Sequence, residues 1–259
     1  MRVLKRVAII QVRTTSQRLP NKCLLHLFGK TVLEHIIRRL RYAKSIDEIC
    51  VATTTNTSDD VIEEIAKNAG VHVYRGSEDD VLDRFYQAAK SVRADVICRV
   101  TADDPLKDPQ VLDKIMQTYS EGRYDYVSNT MKPSYPEGID IEIFSFKALE
   151  KAWQEGNMPS EREHVTPYIW KNPQLFQTYN VENSQDLSAN RWTLDNAADW
   201  VFIQQIYDFL YRENSIFYMD DVLKLLDEHP YLTKINNHTV RNEGYLKSLA
   251  EEIGEVDSL

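Results

Sequence analysis

Two alternating hydrophobic periods constrain this chain most. Strand-like runs at residues 6–12, 48–53, 71–74, 95–100 and 124–129 alternate with helix-like runs near residues 32–42, 59–68, 81–91 and 109–119. That rhythm predicts an α/β fold of three layers: a mostly parallel sheet with right-handed crossovers and helices on both faces. Helix starts are marked by Ser58-Asp59-Asp60 before the second helix and by Asp108-Pro109 before the fourth. After residue 130 the rhythm breaks. Residues 139–143 alternate as a strand whose apolar character continues to Phe146, and residues 147–154 read as a helix. Residues 162–171 look helical around a proline, 175–181 and 191–194 look extended, and 199–212 and 220–228 look like amphipathic helices. An acidic tail is expected at the C-terminus, frayed over residues 251–259.

The first strand empties into Arg13-Thr14-Thr15-Ser16-Gln17-Arg18-Leu19-Pro20-Asn21-Lys22, a loop with two arginines, a lysine and three hydroxyl side chains. In open α/β sheets, ligands bind outside the carboxyl ends of the strands. Arginine forks match phosphate oxygens, lysine adds a mobile point charge, and loop N–H groups supply fixed partial positives. Such a loop is either a solvated basic turn or a phosphate site, and its position after the first strand favours phosphate. Gly29-Lys30-Thr31 imitates the end of a Walker A loop, but Leu24 stands where that pattern needs glycine. No glycine precedes Gly29, so the dinucleotide-binding fingerprint is absent too.

With 40 acidic against 31 basic residues the net charge is -9, which is unsuited to non-specific nucleic-acid binding. Cys23, Cys50 and Cys98 are far apart and lack metal or disulfide spacing, so a reducing, cytoplasmic setting is expected. No run is long enough to span a bilayer, and the apolar N-terminal stretch is too short for a signal peptide. No membrane or nucleic-acid partner is expected.

Asp103 and Asp104 follow the fourth strand-like run and precede Pro105, at the same sheet edge as the basic loop. One or two carboxylates plus substrate phosphates are what Mg²⁺ prefers, whereas an aspartate there could equally cap a turn. Asp195, shortly before a helix, reads as an N-cap or as a second metal ligand. In Glu137-Gly138-Ile139-Asp140-Ile141-Glu142, extended alternation puts Asp140 and Glu142 on one face, able to accept hydrogen bonds from sugar hydroxyls or simply to face water. Glu161-Arg162-Glu163-His164 opens a helix-like stretch.

These blocks resemble the cytidylyltransferases of spore-coat polysaccharide biosynthesis, relatives of the enzymes that activate 3-deoxy-manno-octulosonate and sialic acids as CMP-sugars. The resemblance spans most of residues 5–210. It rests on Ile10-Gln11-Val12-Arg13 with Ser16, Arg18-Leu19-Pro20 and Lys22, and on Arg99-Val100-Thr101-Ala102-Asp103-Asp104-Pro105-Leu106. Glu137 to Glu142, Glu161-Arg162-Glu163-His164-Val165-Thr166-Pro167-Tyr168 and Arg191-Trp192-Thr193-Leu194-Asp195 complete it.

The resemblance implies a Rossmann-like GT-A nucleotide-diphosphosugar transferase fold, with CTP and Mg²⁺. By it, Arg13 and Lys22 neutralise the triphosphate while Ser16 and Arg18 shape the loop. Asp103 and Asp195 hold the metal, and Asp103, Arg13 and Lys22 carry the chemistry. Ser77 and Asp80 are candidates for the pyrimidine. Asp140, Glu142, Arg162 and His164 are candidates for a polyhydroxylated acid. A single domain over residues 1–245 is expected, with a nucleotide half over about 1–130, an acceptor and dimerisation half over about 131–245, and an acidic tail over 246–259. Homodimer pairing is expected through residues 139–146, Trp153 and Trp170, as in related enzymes. Asn21 and Ala102 replace two glycines usual in the family, which bears on backbone approach to phosphate. The implied reaction is transfer of CMP from CTP to a sugar acid with pyrophosphate release, for surface polysaccharide. The alternatives are a CDP-linked product from a phosphorylated acceptor, a metal-dependent glycosyltransferase, or a nucleotide-binding regulatory protein.

Overall fold

A computed structural model describes residues 3–16, 18–239 and 241–256. The strands are β1 (Arg6–Gln11), β2 (His26–Leu27), β3 (Lys30–Thr31), β4 (Glu48–Thr54), β5 (His72–Gly76), β6 (Val96–Thr101), β7 (Tyr126–Ser128), β8 (Glu142–Ser145) and β9 (Thr178–Asn180). The α-helices are α1 (Val32–Leu40), α2 (Asp60–Asn68), α3 (Val81–Ser91), α4 (Pro109–Glu121), α5 (Phe146–Glu155), α6 (Pro159–His164), α7 (Pro167–Trp170), α8 (Ala197–Leu210), α9 (Met219–Glu228) and α10 (Glu243–Val256). A seven-stranded sheet runs β5-β4-β1-β6-β8-β7-β9, and β2 and β3 form a small separate hairpin. β8 lies antiparallel to both β6 and β7, while every other pairing in the large sheet is parallel. This is the mostly parallel sheet flanked by helices that the alternation predicts.

β1 lies inside the sheet between β4 and β6, and Val7, Ala8, Ile9 and Ile10 are all fully buried, as a strand covered on both faces requires. Alternation sends Ala8 and Ile10 toward a core shared with α1, α2, α4, α8 and α9. Val7 and Ile9 face the other core, built on α3, α5 and α7. The helices start on local signals. Thr31 and Glu34 make a reciprocal capping box on α1, and Asp108 accepts from the Gln110 and Val111 amides ahead of Pro109. Asp59 behaves otherwise: its carboxylate does not cap α2.

The second half departs from the sequence reading in several places. β8 begins only at Glu142, because the Asn129 side chain takes the partners of the preceding residues: its Nδ2 donates to the Ile139 carbonyl and its Oδ1 accepts from the Ile141 amide. Residues 191–194 form no strand. Arg191 makes one isolated bridge with Glu137, and the Trp192 and Leu194 amides bond to the Glu137 and Asp103 carbonyls. The helical stretch around Pro167 is two helices, broken at Val165, which adopts a left-handed φ of 72°. The expected tail is instead the body of α10. Its Glu252 accepts from the Ser160 amide at 2.5 Å, and its Ser248 hydroxyl donates to Glu163 at 2.7 Å, which together dock α10 on α6. Residues 257–259 of that expected tail lie outside the described residues.

The apolar residues expected to pair two copies are internal. Ile139, Ile141, Ile143 and Phe144 are fully buried, and Trp153 stacks on Tyr86 at 4.2 Å while its indole N–H donates to Asp83. Trp170 packs against Tyr245. Phe146, Trp153 and Trp170 are the exceptions, half-buried. Among the described residues no helix is long and apolar enough to cross a membrane.

His35 on α1 is 1% exposed, sits edge-on to Tyr207 and Tyr211, and its Nε2–H donates to the Leu27 carbonyl at 2.7 Å. Burial is the main cause that pulls its pKa from 6.5 down to about 4. The folded state therefore resists a proton that the unfolded chain accepts, so stability is intact above about pH 6.5 and is lost as pH falls toward 4. At roughly 1.4 kcal/mol per unit this approaches about 3 kcal/mol. Urea unfolding of the protein and of His35→Gln across that window should show the wild-type advantage shrinking by this amount. Parallel curves would place the titration elsewhere.

Candidate active site

The basic loop is held at the carboxyl edge of β1 by one buried side chain. Asp59 Oδ1 accepts from the Thr14 amide at 2.9 Å and the Thr14 hydroxyl at 2.7 Å. Its Oδ2 accepts from Thr53 and Thr54 hydroxyls at 2.9 and 2.6 Å and from the Thr54 amide at 3.2 Å. Burial opposes its charge, yet these donors outweigh burial and hold its carboxyl below the usual range. The start signal read at Asp59 is thus a clamp between the loop and the end of β4. Asn21, one of the two departures from glycine, sits at φ 58°, a left-handed conformation that asparagine tolerates better than most residues, so the loop keeps its turn. Ala102, the other, is buried on the wall of a cavity that Arg13 and Lys22 also line.

The central feature is a buried ammonium between two carboxylates. Lys22 Nζ donates to Asp103 Oδ2 at 2.7 Å and to Asp195 Oδ1 at 2.8 Å. Arg18 reaches the same Asp195 oxygen at 2.9 Å and Glu243 at 2.6 Å, and Arg13 lies 3.5 Å from Glu78. Burial disfavours charge at Lys22, but Asp103 and Asp195 more than offset it and raise its pKa. Burial likewise opposes ionisation of Asp103, yet Lys22 holds its carboxyl well below the usual carboxylate range. Asp104 faces inward instead, where it accepts from Lys107 at 2.7 Å and Thr101 at 2.9 Å.

Two cavities meet at this point, of about 600 Å³ and about 530 Å³. Arg18, Thr101, Asp103, His164, Asp195 and Glu243 line both, so they form one cleft with Asp103 and Asp195 at its seam. The first side is lined by Arg13, Ser16, Lys22, Arg84 and Lys247 and is the cationic one. The second is lined by Arg99, Asp140, Glu142, Thr166, Trp170 and Tyr245. Asp103 and Asp195 are hard oxygen donors converging on one cation, which fits a divalent ion. Among the described residues no cluster of three His, Cys, Asp or Glu side chains suited to a metal occurs. Remaining ligands would come from phosphate and water, the coordination Mg²⁺ accepts.

The structure brings Arg13, Ser16 and Lys22 together on one side of the cleft, Asp140 and Glu142 on the other, and Arg18, Asp103, His164 and Asp195 at the seam between them. Ser77, Asp80 and Arg162 are absent from both walls. The Ser77 hydroxyl accepts from the Asp80 amide, and Asp80 caps α3 through the Asp83 amide. Arg162 pairs with Asp80 and donates to the Trp153 carbonyl, tying α6 to α3 and α5. These three residues stabilise helix starts and contacts. Glu142 is spoken for by Arg99, the Tyr126 hydroxyl at 2.7 Å and the Thr166 hydroxyl at 2.5 Å. Asp140 accepts from Arg241 at 2.5 Å. Burial depresses the pKa of His164, whose Nε2 lies 3.0 Å from the Ser248 hydroxyl.

Arg84, Arg99 and Tyr245 were not singled out by the sequence. Arg84 is 2% exposed, no carboxylate pairs with it among the described residues, and its Nε has no hydrogen-bond partner. Its Nη1 donates to the Ser77 carbonyl at 2.6 Å, and burial pulls its pKa down to about 10. The available signal was positional: Arg84 falls within the buried stripe of Val81, Phe85 and Ala88.

The sequence profile of the cytidylyltransferase family matches residues 7–195. The chain is 39% identical over 246 residues to the uncharacterized protein MJ1063 of Methanocaldococcus jannaschii, covering 93% of this chain and 98% of that one. It is 33% identical over 211 residues to the spore coat polysaccharide biosynthesis protein SpsF of Bacillus subtilis, covering 77% and 85%. Over 116 residues it is 32% identical to the 3-deoxy-manno-octulosonate cytidylyltransferase of Geobacter sulfurreducens, 44% of this chain and 45% of that one. A cytidylyltransferase structure from Leptospira borgpetersenii superposes with a TM-score of 0.85 at 33% identity, over 93% of this chain and all of that chain. A cationic loop, two carboxylates converging on Lys22 and a family match through Asp195 agree: the chain is a nucleotidyltransferase of the cytidylyltransferase family.

Proposed function

We propose that this protein transfers CMP from CTP to a sugar acid of the nonulosonic or 3-deoxy-2-keto type, releasing pyrophosphate, for surface polysaccharide biosynthesis. One observation carries the reading: Lys22, Asp103 and Asp195 stand where a cavity lined by Arg13, Lys22, Arg84 and Lys247 meets one lined by Arg99, threonine hydroxyls and arginine-paired carboxylates. The triphosphate occupies the first, the acceptor the second, and the α-phosphorus falls at the seam. An acceptor hydroxyl oxygen bonds to that phosphorus as the bond from phosphorus to the pyrophosphate oxygen breaks, and the hydroxyl's proton passes to solvent. Such transfer depends on positioning and charge neutralisation. Lys22, Arg13 and Arg84 neutralise phosphate oxygens, and Arg18 leaves Glu243 to do the same. Asp103 and Asp195 would hold Mg²⁺, which when bound supplies further charge neutralisation. The three buried free cysteines fit a reducing cytoplasm.

Pyrophosphate release from CTP on adding 3-deoxy-manno-octulosonate or N-acetylneuraminate, with a product of CMP-sugar mass, tests this directly. CTP should exceed ATP and GTP, with UTP the closest competitor because its ring is the same size. Equal turnover with a purine triphosphate, or a CDP-linked mass, would refute the assignment. Arg84→Gln removes a charged donor from the phosphate side and should raise the CTP KM roughly tenfold or more while leaving the acceptor KM nearly unchanged. An unchanged CTP KM would return Arg84 to a structural role.

A further inference from the structure

The last helix lies outside residues 7–195, yet it walls the cleft. Arg241 fixes the approach to it, bonding Asp140 and the Tyr135 carbonyl. Ser248 bonds Glu163 and His164, and Glu252 takes the Ser160 amide, so the first turns of α10 are held over the acceptor-side cavity. Tyr245 projects from that turn. Its ring meets Trp170 at 5.8 Å and 70° and His164 at 5.2 Å and 90°. Its hydroxyl is buried and has no hydrogen-bond partner.

A buried hydroxyl without a partner costs free energy, and native structures rarely leave one so. Tyr245 lines the acceptor-side cavity, and a molecule bound there is one source of the partner its hydroxyl lacks. The acid groups nearby do not compete for this role, because Glu137 is paired with Arg191, Asp140 with Arg241 and Glu142 with Arg99. Lys171 Nζ lies over both the Trp170 and Tyr245 rings, 5.7 and 5.6 Å from their centres, so what remains for recognition is threonine hydroxyls, His164, Asn242 and the faces of those two rings opposite Lys171. That combination suits a molecule with hydroxyls on its edge and an apolar C–H face, which a pyranose ring presents. Arg99 lies at the same wall, its Nε on Gln11 and its Nη1 on Glu142, with no hydrogen bond from Nη2 among the described residues, so one edge of the fork is free for a carboxylate.

We infer that Tyr245 and Trp170 form the wall on which the acceptor's sugar ring packs, that the Tyr245 hydroxyl bonds the acceptor, and that α10 therefore determines acceptor choice. This rests on the proposed reaction. Tyr245→Phe keeps the ring and removes the unpartnered hydroxyl. It should raise the acceptor KM about fivefold, leave the CTP KM within about twofold, and leave the melting temperature unchanged or higher. Tyr245→Ala and Trp170→Leu should each raise the acceptor KM roughly tenfold or more with the same indifference to CTP. Unchanged acceptor KM values, or equal shifts for both substrates, would overturn the wall.

If neither acid releases pyrophosphate with the wild-type protein, the reaction itself is wrong. Saturation-transfer NMR with CTP-loaded protein and the same two acids then decides the wall separately. Transfer to sugar-ring protons that Tyr245→Ala abolishes upholds it, and its absence in the wild type sinks it.

Discussion

Lys22→Ala and Asp103→Asn are each expected to cut turnover at least roughly a hundredfold, the loss that follows when about 3 kcal/mol of transition-state charge stabilisation is removed. They should differ in their response to metal. Asp103→Asn keeps the shape but weakens one of two proposed metal ligands, so raising Mg²⁺ or supplying Mn²⁺ should partly restore it by mass action. Lys22→Ala should gain little turnover, because the lost charge served the phosphates. Its stability should respond instead. In the free protein Lys22 Nζ bridges Asp103 and Asp195 at 2.7 and 2.8 Å, and alanine leaves Asp103 without that partner while Asp195 keeps only Arg18 and Arg191. Mg²⁺ alone should therefore raise the melting temperature of Lys22→Ala more than that of the wild type. Near-full activity of Asp103→Asn at limiting Mg²⁺ would make Asp103 a turn residue and remove the metal site.

Arg191→Met should be the most destabilising single change. The Arg191 side chain is 4% exposed and holds Asp199 with two bonds of 2.9 Å, Glu137 at 2.7 Å and Asp195 at 3.2 Å. Burial opposes its charge, and these carboxylates more than compensate, raising its pKa. Removing it takes the charge partner from Glu137 and from Asp199, which is fully buried and keeps only the Asp195 and Asn196 amides and Asn236 Nδ2 as donors. Breaking a buried pair costs about 3–5 kcal/mol, a large share of the 5–15 kcal/mol typical of a domain. Urea unfolding should show this as a lowered midpoint, and Asp199→Asn on top of Arg191→Met should recover part of the loss. Lysine at 191 should not substitute, since a point charge cannot bridge three acids as a planar fork does. A midpoint within error of wild type would show that the network contributes little.

The acceptor side illustrates why a charged cluster in sequence is an incomplete guide. Asp140 and Glu142 do reach the cleft, as their alternation suggested, but Arg241 and Arg99 neutralise them. Those arginines come from distant segments, and nothing near Glu142 in sequence announces them. Ser77, Asp80 and Arg162 fail to reach the cleft because short-range capping and a single cross-helix pair satisfy them first.

The sequence by itself determined the sheet, its helices and the position of the basic loop. Those depend on short-range regularities: two hydrophobic periods, caps such as Thr31 and Asp108, and the apolar run Val7 to Ile10 in β1, which calls for cover on both faces. Only the tertiary structure decided that Lys22 sits between Asp103 and Asp195, 81 and 173 residues away along the chain. It also turned Asp59 from a helix start into the clamp of the basic loop, and an expected tail into the helix that carries Tyr245. A side chain's period and capping preference are properties of its neighbours in sequence. Its hydrogen-bond and ion-pair partners are whichever groups packing brings within about 3 Å, and burial then decides which of those pairings is strong.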